Sequence, residues 1–366
     1  MKAKKRTIVI IAILITIALS IATAAAVISY RTSRIPSLSF MDMLSYTTRD
    51  NNQALLSVGI IKDGHTKYTV YGENATILPS HEHTYEIGSI SKTFTAALLG
   101  KAIHEGTVAL SDTIDQYIEL PKKNHYPDLH QLVTHTSGYK NYYFEPQMMA
   151  NRLRGEKNDY YGISVAALDK KLANIRLKNN EHAFLYSNFG YSVLGRILSK
   201  VQEKEFPALM QSFIAQDLKL KNTHIAFQGN NLPRSWNWAK DDAYIPAGAL
   251  VSTIEDMLQY VQIHLDGNIP YLDVASQPTK NVQATTKKYE KMGIRIDSIT
   301  MGWMFDEENN VYWHNGATSN YNSYIAFDTD KQVGVVILSN LAANYRIPAT
   351  LMGLRLITSL QDEDAF

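Results

Sequence analysis

β-rich runs stand at both ends of the body of this 366-residue chain, and the stretch between them is patterned as helix. Near the front, residues 54–62 (ALLSVGIIK) and 67–71 (KYTVY) flank Asp63-Gly64, a pair that accommodates the positive φ angles of a tight hairpin. Near the back, Val311–His314, Tyr324–Asp328 and Val333–Ser339 are short β-rich runs separated by turns containing Gly or Asp. Between these ends, Ser91–Glu105 is apolar on most sides and stops at Gly106, which predicts a buried helix with a glycine C-cap. Tyr191, Leu194, Leu198 and Val201 recur at helical spacing, and Ser252 with Glu255 reads as a capping box ahead of Met257, Tyr260 and Val261. Strands at the two ends have only each other as partners. The pattern therefore predicts an α+β fold, with an antiparallel sheet formed by the N- and C-terminal segments and a mostly helical second lobe over about 107–240.

The first 36 residues differ from the rest. Thr7–Tyr30 is 24 residues without a charge, which as a helix covers roughly 36 Å, enough to cross a bilayer core with some tilt. Lys2, Lys4, Lys5 and Arg6 precede it and Arg31 and Arg34 follow, so the charge bias places the N-terminus in the cytoplasm and the body outside. Residues 1–36 read as a tail, signal-anchor and linker, and residues 37–366 as the working domain. Ala22-Thr23-Ala24 and Ala24-Ala25-Ala26 have the small-residue character of a signal-peptidase site, which leaves secretion after cleavage as the alternative.

Charge and composition then remove whole classes of function. The formal net charge of +1 hides six basic groups and no acid in residues 1–36, leaving 30 basic against 35 acidic groups in the body. An acidic body lacks the concentrated basic face of a nucleic-acid binder. With 45% hydrophobic and 19% charged residues, disorder is excluded as the main state. Zero cysteine excludes a disulfide framework, a thiolate metal site and a cysteine nucleophile. No two glycines are two or four apart, so G-x-G-x-x-G and G-x-S-x-G are both absent, and no H-E-x-x-H occurs among eleven histidines. His81-Glu82-His83 reads as a solvated loop before a strand rather than a metal site.

What remains is Ser89-Ile90-Ser91-Lys92 at the mouth of the buried helix. Residues three apart share a helical face, so the Lys92 amine can approach the Ser89 hydroxyl, and the helix N-terminus favours negative charge developing there. A lysine head in an apolar pocket becomes partly neutral, and a neutral amine can take a proton from serine. Tyr186-Ser187-Asn188 and His314-Asn315-Gly316-Ala317 follow in order. With these three motifs the sequence resembles the serine β-lactamase and penicillin-binding-protein superfamily, in its class C-like branch of serine hydrolases, esterases and D,D-peptidases. Leu132–Gly138 (LVTHTSG), Pro246–Thr253 (PAGALVST) and Val335–Asn340 (VVILSN) match as well, and the likeness runs from about residue 50 to about 360.

The resemblance implies a five-stranded-type antiparallel sheet flanked by helices. It also implies Ser89 as acyl-forming nucleophile, with Lys92 and Tyr186 sharing its proton and later activating water, and no cofactor or metal. The N–H groups of Ser89 and Ala317 are expected to form the oxyanion hole, Asn188 to hold a substrate amide or carbonyl, and Lys92 to lower the Tyr186 phenol so that it can serve as a base. The third motif departs from the family pattern. His314-Asn315 stands where Lys-Thr is usual, and a mostly neutral histidine with an amide holds a substrate carboxylate less well. An envelope hydrolase of D-alanyl esters or peptides, membrane-attached through the N-terminal helix, is the expected function. A weak β-lactamase, or a domain that acylates without turnover, is the alternative.

Overall fold

A computed structural model describes residues 35–362, apart from 123, 179–180, 228–230, 274–276 and 278. The anchor reading falls on Thr7–Tyr30, which lies outside the described residues. Among the described residues no helix is long and apolar enough to cross a membrane.

The Asp63-Gly64 turn forms as its composition demands. β1 (Leu56–Lys62) and β2 (His65–Tyr71) pair antiparallel across it, with φ of 52° at Asp63 and 73° at Gly64. β3 (Ile77–Leu78) extends that edge. β4 (Tyr85–Glu86), β5 (His224–Ile225) and β6 (Leu250–Ser252) make a separate three-stranded sheet beside the proposed nucleophile. The C-terminal part supplies β7 (Thr279–Asn281), β8 (Ser298–Thr300), β9 (Trp303–Asp306), β10 (Val311–Ala317), β11 (Asn322–Asp328) and β12 (Val333–Ser339). Among the described residues the main sheet is antiparallel and runs β3-β2-β1-β12-β11-β10-β9-β8-β7. Its centre is five strands of seven residues each, β2, β1, β12, β11 and β10, with short strands added at both edges. The two chain ends meet where Leu56 of β1 faces Ser339 of β12.

The helices are α1 (Phe40–Thr48), α2 (Ser91–His104), α3 (Leu129–Val133), α4 (Pro146–Leu153), α5 (Val165–Asn174) and α6 (Asn188–Val201). They continue as α7 (Phe206–Gln216), α8 (Ile245–Gly248), α9 (Ile254–Asp266), α10 (Lys287–Glu290) and α11 (Ala349–Gln361). The buried run of β12 is apolar on both faces because both are covered. Val335 and Ile337 share a core with Leu44 of α1 and Met352 and Ile357 of α11. Val336 and Leu338 point into the other core, with Phe94 of α2 and Leu258 and Val261 of α9. At roughly 1.5–3 kcal/mol per fully buried side chain, the second of these faces joins the core that buries α2 between the sheet and the helical lobe.

One cap is displaced from its sequence reading. α9 is capped by Thr253, whose hydroxyl accepts from the Asp256 N–H at 3.3 Å. Ser252 belongs to β6 instead, and its hydroxyl pairs with that of Thr223 at 2.8 Å. The strand's extended backbone runs one residue further than the S-x-x-E spacing suggests.

Candidate active site

Gly88-Ser89-Ile90 is a single 3₁₀ turn running directly into α2. Ser91 pins that turn, donating from its hydroxyl to the Gly88 carbonyl (2.7 Å) and accepting from the Leu250 N–H (3.1 Å). Ser89 is left half-buried at the opening, and Lys92 lies one turn below it, fully buried. The Lys92 Nζ is 3.1 Å from the Ser89 Oγ and donates to the Ala247 carbonyl at 2.6 Å. It faces the rings of Tyr186 and Tyr191 at 4.9 and 5.6 Å. Desolvation alone pushes this amine well below its ordinary value. An uncharged amine keeps a lone pair that can accept the serine proton.

The second motif reaches the same place. The Ser187 hydroxyl caps α6 by accepting from the Gly190 N–H (2.8 Å) and donates to the Lys140 carbonyl (2.8 Å), which sets the direction in which Tyr186 leaves the chain. Tyr186 shares a hydrogen bond with the Ser89 side chain. Burial nevertheless raises its phenol above the ordinary value, which reverses the expectation that Lys92 lowers it. Desolvation of the phenol itself is the largest influence on it, so Tyr186 is held as a proton donor.

His135 had been read only as part of a matching stretch, and the structure gives it a task. It holds a left-handed conformation, φ 60°, which turns its Nδ1 to accept from the Ser187 N–H (3.1 Å) and its carbonyl to accept from the Leu185 N–H (2.8 Å). Its ring lies 4.4 Å from that of Tyr186. Burial and the nearby Lys92 hold the imidazole well below its ordinary value, so it remains an acceptor.

The third motif closes the site from the sheet. A side chain at Gly316 would place its Cβ 1.9 Å from the Ile87 carbonyl oxygen, and one at Gly88 would lie 2.7 Å from the Ala317 nitrogen. The two glycines therefore permit the approach that brings the Ala317 N–H to the Ser89 turn. His314 is buried, and desolvation with the adjacent Lys92 pushes it down to about 3. As a neutral ring it donates from Nδ1 to the Asn315 carbonyl (2.7 Å), and its buried Nε2 has no partner among the described residues. The Asn315 side chain donates to the Thr350 hydroxyl (3.0 Å), tying β10 to α11. Asn188 opens α6, donates from Nδ2 to the Tyr160 hydroxyl (3.1 Å) and leaves its buried Oδ1 unpaired among the described residues.

Glu86 is a second residue that sequence reading passed over. Its buried carboxylate accepts from the Trp236 N–H (2.7 Å) and the Thr318 hydroxyl (2.6 Å), joining two walls of the site. Burial pushes it up to about 7, against the lowering effect of both hydrogen bonds. Trp236 and Trp238 line the space beside Ser89, while Tyr142 and Phe144, in the segment before α4, are exposed. His81-Glu82-His83 lies in the loop before β4, with His81 and Glu82 exposed.

A serine hydroxyl beside a buried lysine whose charge is disfavoured, with a tyrosine over both and an antiparallel sheet closing the cleft, defines a serine hydrolase. The family model Beta-lactamase matches residues 49–352, and the chain belongs to that family. It is similar to Protein flp of Staphylococcus aureus, 23% identical over 79% of this chain and 60% of that protein. The chain thus spans about 60% of the length of these staphylococcal relatives. A Beta-lactamase of Pseudomonas fluorescens is 25% identical over 84% of this chain and 94% of its own length. Among solved structures, a Beta-lactamase/D-alanine Carboxypeptidase from Yersinia pestis superposes with a TM-score of 0.69 and 20% identity, covering 91% of this chain and 99% of that one. The octameric penicillin-binding protein homologue from Pyrococcus abyssi gives 0.68 and 19%, covering 88% of this chain and 76% of that one. These structural likenesses show the fold.

Proposed function

We propose that the protein is an extracytoplasmic hydrolase, held to the membrane by Thr7–Tyr30, that removes small acyl groups such as D-alanyl from esters or amides of the cell envelope. The observation that carries the chemistry is the buried Lys92 amine, its charge disfavoured by desolvation, 3.1 Å from the Ser89 hydroxyl. In this reading Lys92 takes the Ser89 proton as Oγ bonds to the acyl carbon, and the N–H groups of Ser89 and Ala317 hold the oxyanion, a contribution of about 3–4 kcal/mol per donor. Tyr186, kept protonated by burial, donates to the departing group and is reprotonated through Lys92. Water then takes the place of the leaving group and releases the acid. The domain 37–366 carries all of these groups.

The unpaired Asn188 Oδ1 is an acceptor suited to an N–H on the acyl part, and a second feature favours a small ester over a β-lactam. His314, neutral and buried, supplies no cation for a substrate carboxylate. The partner is accordingly a D-alanyl ester or peptide of the envelope.

A fluorescent penicillin or a serine-reactive phosphonate should label Ser89, and Ser89→Ala should abolish labelling. Turnover of a D-alanyl ester, a D-Ala-D-Ala peptide and a cephalosporin, run in parallel, should rank the ester or peptide first. Labelling that persists in Ser89→Ala would overturn the assignment, and stoichiometric labelling with no product from any substrate would favour a sensor that acylates without turnover.

A further inference from the structure

Ser89 stands between two spaces of very unequal size. On one side Tyr160, Asn188, Trp236, Tyr244 and Gly248 leave about 30 Å³, so this side admits only a small group. Tyr160 and Tyr244 stack there with ring centroids 4.3 Å apart, so the wall is stiff. On the other side is an open cleft of about 760 Å³, well within the size range of small-molecule sites. Ile35, Met292, Ile294, Met304, Trp313 and Leu351 give it an apolar lining. Lys288 and Arg346 add charge to the same wall, and the Arg346 guanidinium is already committed to the carbonyls of Tyr46 and Arg49.

Ile35 links this cleft to the front of the chain. The segment after it is held in place by Arg355, whose guanidinium donates to the carbonyls of Leu38 (2.9 Å) and Pro36. The uncharged run ends at Tyr30, five residues earlier, and five residues span at most about 18 Å. A run inserted in the bilayer therefore puts the mouth of the cleft beside the membrane surface.

On the hydrolase and anchor reading above, we infer that the substrate is a membrane-borne amphiphile, an ester with a small acyl group and a bulky alcohol whose apolar part lies in the large cleft. The acyl group occupies the tight space, where Asn188 Oδ1 meets its N–H. Ser89 Oγ bonds to the acyl carbon, the ester C–O bond breaks, and the serine proton leaves on the alcohol. Water then hydrolyses the acyl-enzyme.

The test uses the full chain reconstituted in vesicles, with alanyl esters of ethanol, octanol and hexadecanol, and with octanoyl ethyl ester as the acyl-side control. Burial gains about fourfold per methylene, so kcat/KM should rise at least about tenfold from the ethyl to the octyl alanyl ester. Lengthening the acyl side should give no such gain. The hexadecyl ester should turn over at least about tenfold faster in the enzyme's own vesicles than in separate ones. In Met292→Asp and in the milder Met292→Ala the octyl-to-ethyl ratio should fall toward one, a ratio independent of how much enzyme folds. An octyl-to-ethyl ratio near one in the parent chain, a gain on the acyl side, or equal rates from separate vesicles would overturn the inference while leaving the hydrolase reading intact. Loss of all turnover together with an unlabelled Ser89 would overturn both.

Discussion

The Lys92 Nζ lies 2.6 Å from the Ala247 carbonyl oxygen, and the ammonium has no carboxylate to balance it among the described residues. The fold thus keeps an amine where its charge is disfavoured. Lys92→Met should slow labelling of Ser89 by about 10²–10⁴-fold and raise the melting temperature near neutral pH. Burial holds the native amine well below its ordinary value, so it gives up its proton at a lower pH than the unfolded one, which stays charged below about 10.4. The unfolded chain therefore binds more protons, and stability rises with pH toward that value. The melting-temperature gain of Lys92→Met should accordingly shrink between pH 7 and pH 10, which thermal melts at both would show.

Gly316→Ala tests the close approach of β10 to the Ser89 turn. The added Cβ would meet the Ile87 carbonyl oxygen at 1.9 Å and the Ser323 Oγ at 2.6 Å. Since backbone has to yield, denaturant unfolding should show a loss of about 3 kcal/mol, with phosphonate labelling impaired even where the protein is fully folded.

Glu86 makes the joint between Trp236 and Thr318 sensitive to pH. Its native value of about 7 lies above the ordinary 4.5, so its contribution to stability is fully present below 4.5 and is lost as pH rises through 7. Tyr321, beside it, is held up near 12 and stays uncharged across this window. Glu86→Gln should flatten the fall in melting temperature between pH 5 and pH 8, and it should leave the pH dependence outside that window unchanged.

His314→Lys tests why the third motif matters. A cation at this position should raise the rate of Ser89 acylation by an anionic cephalosporin, relative to a neutral ester, by about tenfold. Stopped-flow acylation with both substrates reads the ratio directly.

Much of this was visible in the residues alone. Asp63-Gly64 declared its hairpin, and Ser89 with Lys92 its geometry, because each is local. Glu86 escaped notice because its partners, Trp236 and Thr318, are 150 and 232 residues away. The task of His135 depends on a positive φ that no spacing reports. β7, β8 and β9, of three, three and four residues, are too short to carry a strand period. The Tyr186 shift runs opposite to the expectation because burial of the phenol, which depends on the tertiary packing around it, is its largest influence.

The seam between β1 and β12 also sets an order of assembly. Leu56 is paired on one side by nearby Tyr71 of β2, but on the other only when Ser339 arrives, and pairings this distant form late. A chain that emerges front end first cannot close its central sheet until β12 has been delivered, so the approach of β10 to the Ser89 turn, which depends on that sheet, comes late as well.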